Sequence, residues 1–89
     1  MMLALHSARA ESWQAINEQG DRLRQQGRCR EAVSAFQRAR SAAMKELGPS
    51  HSANANPANN LAAAYLCLGE FTQAERHFRA ALGAARWTA

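Results

Sequence analysis

The chain has 89 residues, a formal net charge of +4 and 47% hydrophobic residues, which allows one small domain with a thin core and leaves little room for an enclosed active site. Its β-branched residues are Ile16, Val33, Thr72 and Thr88 alone, too few to build a sheet. With only two prolines beside that apolar content, disorder is excluded as well.

In chain order, Met1-Met2-Leu3-Ala4-Leu5 is apolar but too short for a signal peptide and lacks a basic start. No stretch approaches the ~18 apolar residues that a membrane span requires. Trp13, Ile16, Gly20 and Leu23 recur at steps of three and four, predicting a first helix with one apolar stripe. It should close near Gly27, where glycine supplies the left-handed backbone of a helix end. A second helix carries Cys29, Ala32, Val33, Phe36, Ala39, Ala43 and Leu47 on one face and stops at Leu47-Gly48-Pro49. A polar connector follows, and Asn56-Pro57 reads as an N-cap with proline at the first helical position. The third helix then runs through Ala58, Leu61, Ala62, Tyr65 and Leu68 to Gly69. A fourth shows Phe71, Ala74, Phe78, Ala81, Leu82 and Ala85, with Gly83 and Thr88 weakening its last turns.

The four segments are two copies of one instruction. Gly27 and Gly69 lie 42 positions apart, and at the same offset Gly20 meets Ala62, Leu23 meets Tyr65, Ala32 meets Ala74, Phe36 meets Phe78 and Ala39 meets Ala81. Such a period predicts stacked helical hairpins rather than a closed enzyme fold. The expectation is an all-α domain over residues 1–89: repeat one at 13–47, a connector at 48–56 and repeat two at 57–86. Within it the small residues admit bulky neighbours, so enlarging Ala32 or Ala74 should cost ~1–3 kcal/mol. Truncating Phe36 or Phe78 should cost ~3–5 kcal/mol, the two being expected in like environments.

Chemistry-bearing residues form no catalytic or metal constellation. His6, His51 and His77 are scattered, and Glu75 and His77, two apart, point to different sides of a helix. The glycines belong to no phosphate-binding motif. No serine or cysteine has a motif-defined base. Cys29 and Cys67 lack metal or redox spacing and are expected unpaired, in a reducing cytoplasmic setting. A packed thiol is expected at Cys67. The arginines of the first half alternate with Glu18, Asp21 and Glu31, as on a solvated helix face; an anionic peptide is the partner such a face would attract. No enzyme activity, cofactor or metal is expected.

Gly20-x-x-Leu23-x-x-x-Gly27-x-x-x-x-Ala32-x-x-x-Phe36-x-x-Ala39 and Ala62-x-x-Tyr65-x-x-x-Gly69-x-x-x-x-Ala74-x-x-x-Phe78-x-x-Ala81 resemble the tetratricopeptide repeat. The 42-residue period, with Leu47-Gly48-Pro49-Ser50-His51 and Asn59-Asn60-Leu61-Ala62, is similar to the kinesin light chain type. The resemblance covers residues 13–85. It implies two stacked antiparallel helix-turn-helix hairpins with a right-handed twist, and an adaptor or scaffold whose concave groove, lined by the first helix of each repeat, holds a peptide segment of a partner. The faces opposite the apolar stripes carry Gln14, Glu18, Asp21 and Gln25, flanked by Asn17 and Arg24, and Asn56, Asn60, Ala63 and Cys67, flanked by Asn59 and Leu66. The expected peptide-binding residues are Asn17, Asp21, Arg24, Asn59, Asn60 and Ala63. Two bare repeats would also leave an apolar end near Leu82, Ala85 and Trp87, which implies either homo-oligomerisation through this end or a chain that is a fragment of a longer array. The alternatives are a structural oligomerisation module and a basic helical domain that binds nucleic acid.

Overall fold

A computed structural model describes residues 11–85. It holds four α-helices and one short 3-10 turn: α1 (Trp13–Gln25), α2 (Cys29–Leu47), the 3-10 turn (Ser52–Asn54), α3 (Ala55–Cys67) and α4 (Phe71–Ala85). There is no strand among the described residues. The fold is all-α, two antiparallel hairpins packed side by side, with α3 against both α2 and α4 and its beginning near α1.

Local chemistry sets the helix ends. The Ser12 hydroxyl accepts from the Ala15 amide at 3.1 Å, satisfying one of the amides that a helix start leaves bare. The two hairpin turns are built alike. Past α1, the Gly27 amide donates to the Arg24 carbonyl and the Arg28 amide to the Leu23 carbonyl, both at 2.9 Å. Past α3, the Gly69 and Glu70 amides donate to the Leu66 and Tyr65 carbonyls, again at 2.9 Å. This paired closure needs a left-handed residue, and Gly27 and Gly69 supply it with φ of 80° and 77°.

The start of α3 differs from the expected one. The His51 Nδ1 accepts from the Ala53 amide at 3.0 Å, nucleating the 3-10 turn, and α3 begins at Ala55 rather than at an Asn56 cap. Pro57 is therefore the third helical residue. The helix tolerates it there because the first amides of a helix have no intrahelical acceptor to lose. Asn54, buried beneath the connector, donates to the Gly48 carbonyl at 2.8 Å and ties the end of α2 to the start of the second hairpin.

The core lies between the hairpins. Ala32, Val33 and Phe36 of α2 pack with Leu61 and Ala64 of α3, and Leu23, Tyr65 and Leu68 close the edges. Gly20 is what lets α1 approach: a Cβ built on it would stand 2.6 Å from the Phe36 ring. A side chain there would have to displace a buried aromatic.

Two expectations fail here. Phe36 is fully buried, at 0% exposure, whereas Phe78 is 37% exposed. The sequence equivalence holds but the environments do not match, because Phe36 has the next hairpin upon it and Phe78 faces the outer side of the second. Cys29 and Cys67 are joined in a disulfide, with Cα atoms 6.1 Å apart. Stacking brings the end of α3 to the start of α2, so neither cysteine is a thiol. The ground for expecting a reducing, cytoplasmic setting falls with that pairing.

Candidate functional site

The faces of α1 and α3 turned away from the core meet in a polar trough of about 400 Å3, lined by Asn17, Glu18, Asp21, Arg22 and Asn60. Its floor is an amide cluster. Asn60 Nδ2 donates to Asn17 Oδ1 at 3.1 Å and approaches Asn56 Oδ1 at 3.2 Å, while Asn17 Nδ2 donates to Asn56 Oδ1, also at 3.2 Å. Each amide has both donor and acceptor atoms, so the cluster retains hydrogen-bonding capacity after these contacts are made.

An acid–base cluster stands beside it. Asp21 accepts from Arg24 at 2.7 Å through one oxygen and from Gln25 at 3.0 Å through the other. Both charged side chains remain substantially exposed, so the pair orients Arg24 more than it stabilises the fold. Arg22 and Glu18 line the trough with no ion-pair partner among the described residues.

Of the six residues expected at a peptide site, Asn17, Asp21 and Asn60 thus come together in one trough, and Arg24 stands next to it, bound to Asp21. Ala63 is half-buried on α3 and Asn59 is exposed; neither lines the trough. Asn59 is the repeat-two equivalent of Asn17, 42 positions on. Asn17 is engaged by the following hairpin, whereas Asn59 has no described hairpin ahead of it. Sequence reasoning had put Asn56 on the correct face without selecting it, and the spacing Asn56/Asn60 (one helical turn) was the available signal. It likewise put Glu18 on that face without selecting it, and it missed Arg22. Leu66, expected to flank this groove, instead lines a separate apolar trough with α4. Cys67 is not a groove thiol, since it is bonded to Cys29.

A third cluster joins the hairpins on the other side. The Tyr65 ring stacks on His77 at 5.4 Å and 7°, and Gln37 Nε2 donates to the Tyr65 hydroxyl at 3.2 Å. Arg40 Nη1 lies 2.9 Å from His77 Nδ1. A guanidinium can only donate, so Nδ1 accepts and the ring is neutral. Burial, then the charges of Arg40 and Arg76, push His77 below its ordinary value. No pattern in one repeat signals this cluster, because it draws Gln37 and Arg40 from α2, Tyr65 from α3 and His77 from α4.

Among the described residues, no group of three or more His, Cys, Asp or Glu is placed to hold a metal ion. No described helix is long and apolar enough to cross a membrane.

The geometry is that of paired helical hairpins with small residues at the crossing points, and the family comparison agrees with it. A family model described as Tetratricopeptide repeat matches residues 8–86. The chain belongs to the tetratricopeptide-repeat family. No match to it was found among curated proteins or among solved structures. Tetratricopeptide repeats in general mediate protein–protein interaction and are non-catalytic modules, which places the polar trough and the apolar one as the two surfaces to weigh. The expected end face is found only in part. Leu82 lines the apolar trough and is 55% exposed, Ala85 lies outside its lining, and Trp87 falls outside the described residues.

Proposed function

We propose that the chain is a non-enzymatic adaptor that binds a peptide segment of a partner protein across the trough between α1 and α3. The amide cluster of Asn17, Asn56 and Asn60 carries this reading. Three carboxamides spread over two helices present donors and acceptors at a spacing suited to a polypeptide backbone, whose own amides need such partners once taken from water. Asn59 and Ala63 would flank the bound segment along α3, and Arg24, held by Asp21, would border it along α1. Arg22 has no ion-pair partner among the described residues, so an acidic side chain of the partner would pair there, opposite Glu18. Two acidic residues, Glu18 and Asp21, against the single base Arg22 in the lining disfavour a nucleic-acid backbone, which calls for unbroken positive charge.

The test is selection of binders from a random-peptide library, followed by affinity measurements on variants. Asn17→Ala and Asn60→Ala should each weaken a selected peptide by ~5–30-fold, the loss of one or two hydrogen bonds. Far-UV circular dichroism should remain helical. Peptides that ignore both substitutions would contradict this assignment.

A further inference from the structure

The outer side of the second hairpin carries an apolar trough of about 500 Å3 between the end of α3 and α4, lined by Leu66, Phe71, Phe78 and Leu82 with Ala74, Thr72 and the Glu75–Arg79 pair. Four of the five exposed large hydrophobic residues of the described chain converge there, with exposures of 45% for Leu66, 69% for Phe71, 37% for Phe78 and 55% for Leu82. Scattered apolar residues need no explanation, but this concentration at one place does.

The molecule itself contains the covered form of this surface. The trough repeats, 42 residues on, the face of α2 that presents Ala32, Val33 and Phe36, and that face is buried by α3 through Leu61 and Ala64, with Tyr65 and Leu68 at its edges. Relative to that covered face, the open one is more apolar: Phe71 replaces Cys29, Leu82 replaces Arg40 and Leu66 replaces Arg24. Glu75, in the place of Val33, has its charge met by Arg79 at 3.0 Å. The interface between α2 and α3 therefore continues in register onto the outer face of α4, where no described helix covers it.

A second copy of this chain does not supply that helix by head-to-tail stacking. At the positions equivalent to Leu61, Ala64, Tyr65 and Leu68, α1 carries Gln19, Arg22, Leu23 and Gln26. Burying Arg22 against Phe78 would desolvate an unpaired charge. Nor does face-to-face pairing fit well, since a groove is filled by a helix ridge and not by another groove.

We infer that this trough binds an amphipathic helix of a partner protein, one with a large apolar residue, a small residue three positions on, an aromatic at the fourth and a large apolar residue at the seventh, the pattern of α3. It docks parallel to α1 and α3, as the next first-type helix of the stack. This surface is separate from the polar trough and its assignment does not rest on that one.

The probe is a stapled, fluorescently labelled peptide of residues 54–70 with Cys67→Ser, the staple removing the cost of forming an isolated helix. Titrated with the full chain, it should bind saturably in the micromolar range. Phe78→Ser and Leu82→Ser, both at exposed positions, should weaken binding at least ~10-fold with helicity retained, and Asn60→Ala should leave it unchanged. Absence of saturation up to ~1 mM, or binding that survives both serine substitutions, overturns the inference. So does a twofold mass by sedimentation that Phe78→Ser abolishes, which assigns the trough to a second copy, and so does displacement of the probe by an equimolar peptide of residues 1–10.

Discussion

Phe36 and Phe78 stand at the same place in two copies of one motif, yet the first is sealed and the second is open to solvent. The same split separates Asn17, engaged by Asn56 and Asn60, from Asn59, which is exposed. In each pair the residue in repeat one owes its environment to the hairpin that follows. A repeat thus specifies its own two helices and the shape it offers to a neighbour, while the energy of its outward residues depends on whether the neighbour is there. For this chain the inner interface makes the fold, and the outer face stays exposed among the described residues.

The largest expected effect breaks the pair apart. Phe36→Ala should destabilise the protein by ~3–5 kcal/mol, leaving a cavity beneath Gly20, while Phe78→Ala should cost less, ~1–2 kcal/mol, because that side chain is already 37% exposed and its removal leaves no enclosed cavity. Urea denaturation of the two variants gives the comparison directly. The disulfide comes next, since Cys29–Cys67 joins the hairpins across 38 residues of sequence. Reducing it should lower stability by ~2–4 kcal/mol, read as an earlier denaturation midpoint in the presence of reductant. The smallest effect concerns His77, which sharpens the comparison because it couples α4 back to the inner hairpin. Its folded value lies below the ordinary 6.5, with burial as the leading cause. The unfolded chain therefore takes up the proton first as the medium is acidified. The stabilising contribution is complete above 6.5 and is lost progressively as pH falls below it. His77→Gln should remove that part of the slope in a series of thermal melts, leaving the carboxylate part unchanged.

Much of the fold was legible in the sequence because its signals are local. Apolar residues at steps of three and four gave each helix its face, and Gly27 and Gly69 marked closures that only a left-handed backbone can make. Gly20 was legible as a close-approach position from its match with Ala62, but that the residue approaching it is Phe36 was not. What escaped was the consequence of stacking. Cys29 and Cys67 occupy non-equivalent positions of different repeats, and only the packed hairpins bring them together. Phe78 carried the same local signal as Phe36, and no local signal reports whether a neighbouring hairpin packs upon it. The start of α3 was misplaced because His51 caps the 3-10 turn through its ring nitrogen, a role that composition does not announce. In the candidate site, face assignment placed Asn17, Asp21 and Asn60 together. It did not show that Asp21 holds Arg24 or that Leu66 belongs to the other trough.

The most direct test places a fluorine-labelled phenylalanine at position 36 or 78 and adds a soluble paramagnetic relaxation agent to a dilute solution of the protein. With one aromatic sealed between hairpins and the other on the open outer face, the resonance from position 78 should broaden strongly and that from position 36 should stay sharp. Equal broadening at both positions would contradict the account.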